Sequence, residues 1–411
     1  MVRPVSAVHD AIVVGGGPAG AATAIVLARA GWSVVLLERA RFPRRKVCGE
    51  YVSGTTLSVL DALGVGRAFR ESAGPPVTEV AVYAGASSTV AALPPCRGVF
   101  GRALARERLD ALLLERAARE GAEVLQPCRA LAFEREGDLH RVRAADDDGR
   151  ERDLLAPVAV DAHGSWDRRP LEAGAPPAPR AGDLLGFKAA FRDAALPRGR
   201  MPLLSFPGGY GGMVASDDGR TSLSCCVRRD ALELARVRRP GDAGDAVAAH
   251  VLATCAGARE ALEGATRDGP WLAAGPIRPG VRLHAPGGVF RVGNAAGEAH
   301  PVVAEGITMA VQGAWLLAQR LVAWREAGAP RPSLRAVAAA YRRDWRRAFS
   351  ARVAASCLVA QWAMRPALAA LVLPVLRASP PLLTFAARLS GKATAVTPPV
   401  RRPGVALGAF P

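Results

Sequence analysis

The run Gly15-Gly16-Gly17-Pro18-Ala19-Gly20 has the spacing of a turn that holds a pyrophosphate. Gly15 permits a tight turn after a strand, Gly17 lets the backbone approach the phosphates, and Gly20 allows the next helix to pack close on the sheet. The amides that open this helix face the anion, where the helix macrodipole favours negative charge. Glu38, with Arg39 beside it, falls at the end of the following strand. A carboxylate there accepts ribose hydroxyls and disfavours a 2′-phosphate, so the expected ligand is a dinucleotide other than NADP. A ligand-free glycine turn would not need strand, helix, strand and acid together.

The elements that position these residues are legible around them. Asp10 to Val14 reads as a short, β-branched, buried parallel strand. Pro18 to Ala30 reads as a helix with proline near its first position and Gly31 as its terminator. Ser33 to Leu37 is the second strand. A helix over Ala103 to Glu120 closes at Gly121, and the acidic turn Asp146 to Gly149 suggests a hairpin. Leu171 to Arg180 looks like a crossing linker. Short strands between Leu185 and Val227 suggest an antiparallel sheet, Val289 to Val292 a buried strand, and Ile307 to Glu326 a long helix. No internal repeat is visible.

With 411 residues and half of them hydrophobic, the chain suits two joined domains with a real core. The net charge is +17, and only three of the 54 basic residues are lysine: Lys46, Lys188 and Lys392. The arginines are spread along the chain without interleaved aromatics, which argues against nucleic-acid binding; the positive excess favours anionic cofactors and anionic membrane surfaces. Seven cysteines, with Cys225 and Cys226 adjacent and no CxxC, suggest neither zinc site, disulfide framework nor redox pair. A short apolar run leading straight into glycines is no secretory signal, so a cytoplasmic location is expected.

Several separated motifs then resemble the FAD-dependent hydroxylase superfamily, including its geranylgeranyl reductase-like branch and its flavin-dependent halogenases. Lys46-Val47-Cys48-Gly49-Glu50 looks like the cysteine-glycine motif beside the flavin ring. Arg106, four residues before Asp110, is similar to the family's FAD-contacting arginine. Pro207-Gly208-Gly209-Tyr210 resembles the glycine-tyrosine segment of the substrate sheet, with Gly212 where an aromatic is expected. Gly293-Asn294-Ala295-Ala296 stands where the family has an aspartate that bonds the ribityl chain; an amide still accepts a hydroxyl there. Asp161, Ser165 and Arg168 keep the spacing of the hydroxylases' second cofactor motif, but Ala162 replaces its glycine, which leans away from that branch's nicotinamide mode. The helix opening at Gly306-Ile307 would aim its amides at the flavin's pyrimidine edge and stabilise reduced flavin.

What the resemblance implies is an α/β fold: a Rossmann-type FAD-binding domain, an interleaved antiparallel-sheet substrate domain and a C-terminal helical segment. Residues 1–75, 100–170 and 275–330 are expected to bind FAD, 76–99 and 171–274 to form the substrate sheet, and 331–411 to cap it. Cys48 follows Arg44, Arg45 and Lys46 and is either a reactive thiol or an inert packing residue. His300 beside the flavin could deliver a proton or only satisfy backbone. Tyr210 could line the substrate pocket or sit in the sheet core. Val353 to Leu376 is apolar except for Arg365. Pro366 and Pro374 should break it into two short helices over the cavity, with peripheral membrane contact as the alternative, aided by Arg342, Arg343, Arg346, Arg347 and Arg352. The expected activity is NAD(P)H-driven monooxygenation of a lipophilic isoprenoid- or polyketide-like molecule. Double-bond reduction follows, then halogenation, disfavoured because the halogenases' paired-tryptophan motif is missing; a prenyl-binding escort protein that has lost its flavin is the non-enzymatic alternative.

Overall fold

The computed structural model describes residues 8–165, 178–328 and 332–387. Five parallel strands form one sheet, in the order Phe290–Arg291, Val158–Asp161, Ala11–Val14, Val34–Leu37, Glu123–Leu125. Ala11–Val14 and Val34–Leu37 are buried on both faces, as a covered parallel sheet requires. Ala11, Val13, Val34 and Leu36 face the helices Pro18–Arg29, Arg106–Arg119 and Gly306–Glu326. Ile12, Val14, Val35 and Leu37 face an antiparallel meander of Cys128–Glu136, Leu139–Asp146 and Glu151–Ala156. Asp146 accepts from Gly149 and Arg150 to close the expected hairpin.

The second sheet has eight strands and is mixed, not purely antiparallel: Arg200–Phe206 runs parallel to Glu79–Ala84. That pairing joins strands 121 positions apart in register, and no local pattern reports it. The strand-like runs between Leu185 and Val227 are Leu184–Arg192, Arg200–Phe206, Gly209–Ala215 and Thr221–Arg228, antiparallel to their neighbours among themselves. Alternation sorts their side chains. Phe187, Leu204, Met213 and Cys225 pack under helices Ala243–Thr254 and Ala256–Leu262, whereas Leu184, Tyr210 and Cys226 face the other way.

The C-terminal segment is one 30-residue helix, Leu334–Ala363, and a 13-residue helix, Pro366–Ala378, bent 106° from it. The expected break at Arg365-Pro366 is present; the one at Pro374 is not. Pro374 lies within the second helix, and Ala370, whose carbonyl it cannot bond, is on the exposed side where water reaches it. Arg168 and most of the linker, residues 171–177, lie outside the described residues.

Candidate functional site

The glycine turn is closed to side chains where it must be. Gly15 has φ +109°, and a Cβ there would sit 2.4 Å from the Ala162 carbonyl oxygen. A Cβ on Gly20 would lie 1.8 Å from the Gly15 carbonyl oxygen. Gly17, by contrast, opens toward Arg106 and lines a cavity together with Pro18 and Ala19. It is also the N-cap of the Pro18–Arg29 helix and supplies no capping side chain, so the first amides are left for an anion. Glu38 is buried and accepts from the Gly16 amide at 2.8 Å and the Ala40 amide at 2.9 Å. Its carboxylate therefore ties the turn to the next loop, with lone pairs remaining for a ribose hydroxyl. Arg39 is exposed at the end of that strand.

Positive charge gathers in front of this turn. Arg106 is buried and forks onto the fully buried Asp110 with bonds of 2.7 and 2.6 Å. Burial alone would lower its basicity, but Asp110 and the adjoining Cys48 sulfur hold it well above the ordinary arginine range. The half-buried Lys46 ammonium is held down to about 8, first by desolvation and then by the Arg106 and Arg44 charges. An arriving pyrophosphate meets charges already crowded together, which it relieves.

Cys48 and Gly49 line the same cavity, as do Gly306 and Ile307. A Cβ on Gly49 or Gly306 would meet nothing within 4 Å, so both backbones face open space. The half-buried Cys48 accepts from the Glu50 amide at 3.4 Å, and its carbonyl accepts from Ser224 at 2.9 Å. Glu50 has φ +63° and is buried in contact with Lys188 of the eight-stranded sheet. This ion pair fastens the cysteine loop to the substrate sheet. Sequence reasoning missed it, although Lys188 as one of three lysines was a usable signal.

Asn294 lines the cavity and donates both amide hydrogens inward, to Ser165 at 2.8 Å and Glu298 at 3.1 Å. Its side-chain oxygen is an acceptor of the kind a ribityl hydroxyl requires. The amide also has a local reason: an aspartate here would stand against the buried Glu298 carboxylate. Asp161, in contrast, does not line the cavity; it is fully buried at a strand end, in contact with His163 and 3.4 Å from Arg291. Its place is behind the site, fixing the Ala162–Gly164 turn. Arg352, read from sequence as part of a surface basic patch, is buried 3.5 Å from the buried Glu305, so it joins the long C-terminal helix to the start of the Gly306–Glu326 helix. Desolvation lowers its basicity despite Glu305, as a repurposed buried arginine should show.

Tyr210 forms part of the cavity wall, and its hydroxyl lies 3.1 Å from His300 Nδ1. His300 stands behind it, its amide bonded to Ser356 at 2.9 Å. Burial pushes Tyr210 well above ordinary phenols, pushes Cys226 up to about 12, and holds His300 down to about 4. The pair is thus neutral at physiological pH. His140, in the meander, is also held down to about 4 by burial and by Arg135. Unfolded histidine titrates near 6.5, so below about pH 6.5 the unfolded chain binds these protons first and stability falls until pH 4 is passed. Each imidazole contributes at most about 1.4 kcal/mol per pH unit in that window. Denaturant melts between these limits should show the slope, and His140→Gln or His300→Gln should flatten it; an unchanged slope contradicts the assignment.

The cavity, about 330 Å³, runs between the two sheets. Its remaining wall is apolar, from Val80, Val82, Val214 and Ile277, with Val359 and Leu383 contributed by the C-terminal helices. Gly211 and Gly212 also line it, and at Gly211 a Cβ would lie 2.9 Å from the Ser224 carbonyl oxygen, so the strand there is closed to side chains.

A parallel-sheet dinucleotide fold with a phosphate turn, a facing arginine and a second helix aimed into an apolar cavity defines an FAD-dependent flavoenzyme. The chain belongs to the FAD binding domain family, whose model matches residues 9–344. It is similar to menaquinone reductase of Mycobacterium tuberculosis (strain ATCC 25618 / H37Rv), 32% identical over 142 residues, covering 34% of this chain and 35% of that protein. The chain thus spans about a third of the length of that curated relative. Its fold is similar to the flavin-dependent brominase Bmp2 (TM-score 0.72, 19% identity, 94% of each chain). The geranylgeranyl bacteriochlorophyll reductase-like protein of Thermoplasma acidophilum has a TM-score of 0.70 at 18% identity, over 95% of this chain and 94% of that one. FAD is therefore the cofactor, and the glycine turn, Arg106, Asn294 and the open Gly49 and Gly306 backbones are the residues that fit it.

Proposed function

We propose that this flavoenzyme saturates a carbon–carbon double bond in a lipophilic, isoprenoid-like molecule, with NAD(P)H as electron donor. The observation that carries this reading is the neutral Tyr210 on the wall of an apolar cavity, with His300 behind it at 3.1 Å from its hydroxyl. Saturation requires a hydride at one carbon and a proton at the other, and a bound FAD, once reduced by NAD(P)H, would supply the hydride. Tyr210 holds a proton at its hydroxyl through the whole working pH range and gives it to the second carbon. His300 then hydrogen-bonds the phenolate until solvent restores the proton. The valine- and leucine-lined walls exclude water and orient a hydrocarbon chain. The similarity to menaquinone reductase supports a prenylated substrate.

Monooxygenation is the second reading, favoured by 47% identity over 66 residues with 3-hydroxybenzoate 6-hydroxylase of Klebsiella oxytoca. Incubation with NAD(P)H and a prenylated quinone separates the two by product mass. Two added hydrogens, formed equally well without oxygen, support reduction; one added oxygen atom overturns it. Tyr210→Phe should lower kcat by about 100-fold or more while bound flavin stays unchanged; wild-type kcat in that variant would remove Tyr210 from the chemistry.

A further inference from the structure

We infer that the Pro366–Ala378 and Pro380–Ala387 helices, with the end of the long helix, form a plate that docks on an anionic lipid bilayer and holds the cavity mouth against it. Seven of the thirteen large apolar side chains exposed among the described residues fall between Leu358 and Phe385. Leu368, Leu371 and Val375 share one face of the Pro366–Ala378 helix, at helical spacing. The opposite face is equally apolar, but Ala369 and Leu373 are buried against Val82 and Ala84 of the substrate sheet. A helix that is apolar all round yet buried on one side leaves a hydrophobic surface toward solvent, of a kind that marks an interaction site. The Pro380–Ala387 helix extends it with Leu382 and Phe385, and Leu358 adds the end of the long helix.

Charge selects the occupant. From Trp345 to Pro411 the sequence has no aspartate or glutamate and nine arginines or lysines. Arg365 and Arg377 are exposed at the two ends of the Pro366–Ala378 helix, and Arg346 and Arg347 are exposed farther back on the long helix. Exposed leucine and phenylalanine flanked by exposed arginine, with no acid in the described stretch 345–387, match the headgroup layer of an anionic bilayer in both charge and hydrophobicity. The helices also reach the cavity from their inner side: Val359, Leu383, Ala386 and Ala387 line it. A lipid-dissolved substrate could then enter from the bilayer without crossing water. That route rests on the lipophilic-substrate reading above; the docking itself does not. No single helix among the described residues is long and apolar enough to cross a membrane; the bent pair Leu334–Ala363 and Pro366–Ala378 reaches that length and composition only when taken together.

The test is sedimentation of the intact, flavin-loaded protein with phosphatidylcholine vesicles, with and without phosphatidylglycerol. Partition should be at least about tenfold stronger onto the anionic vesicles and should weaken at high salt. Leu371→Glu combined with Phe385→Glu should lower it at least about tenfold. Leu234→Glu with Val237→Glu, equally exposed but on the Arg229–Arg238 helix, should leave it unchanged. Flavin content and thermal midpoint confirm that each variant is folded. Four results would overturn the inference: wild-type protein left in the supernatant, a plate variant that binds like wild type, a dimer that the plate variant disrupts without any vesicle binding, or binding seen only after removal of residues 388–411, which would make that tail the occupant. Because binding is read without turnover, an absence of double-bond reduction leaves this result standing, and the converse holds too.

Discussion

Gly20→Ala is expected to yield a chain that emerges from purification without flavin. The added methyl would lie 1.8 Å from the Gly15 carbonyl oxygen and 3.2 Å from the Ala162 methyl. Ordinary carbon contacts need about 3.5 Å, so the helix or the turn must move by roughly 1.5 Å. Neither can move cheaply. Pro18–Arg29 is buried along eleven of its twelve residues, and the turn is held by Gly15 N–H to Leu37 O at 2.7 Å and by Glu38 on Gly16. The amides that should meet the pyrophosphate are displaced with the helix, and a misplacement on the order of 1 Å costs about a hundredfold in a positioned interaction. Absorbance of bound flavin per protein, beside a far-ultraviolet spectrum of the folded chain, measures this. A fully flavinated Gly20→Ala protein would mean that the close helix–turn approach is not needed for the cofactor.

Arg106→Met should cost about 3–5 kcal/mol of stability, because it strands the Asp110 carboxylate in a fully buried position. For a chain of 411 residues that lowers the thermal midpoint by about 4–6 °C. Arg106→Met with Asp110→Leu removes both charges and should recover most of the loss, since a buried pair replaced by apolar groups is often near neutral. Flavin affinity should not recover, because Arg106 itself lines the cavity facing Gly17. The two readouts therefore separate: stability follows the pair, and flavin binding follows the arginine. A double variant as unstable as the single one would show that Arg106 acts on the fold through something other than Asp110.

How much of this was legible in the sequence depends on how far each interaction reaches along the chain. The helix ends were readable because they are local: proline at the first position of Pro18–Arg29, and Gly31 at φ +75° after it. The three helices between Arg229 and Leu262 went unread, although Asp242 caps one by accepting from Gly244 and Asp245. The alanine-rich Ala243–Thr254 helix shows weak periodicity, so its Asp242 cap was the better signal, whereas the amphipathic Arg229–Arg238 helix carried a readable periodicity.

The opening glycine turn was legible in the sequence because the positive φ of Gly15 and the approach of Gly20 to the Gly15 carbonyl lie within one βαβ unit, although the Ala162 carbonyl that also closes on Gly15 arrives only with the tertiary fold. The identities of Asn294 and Arg106 were also visible, but their duties were not. Only the tertiary structure places Ser165 and Glu298 so that the Asn294 amide donates inward and turns its oxygen to the ligand. Only it moves Asp161 behind the site, buries Arg352 against Glu305, joins Lys188 to Glu50 across 138 positions, and brings Tyr210 to His300 across 90. These are side-chain pairings between elements that touch only after the two sheets close on one another. Their energetics rest on burial and partner charge, and neither quantity exists along a chain until it is folded.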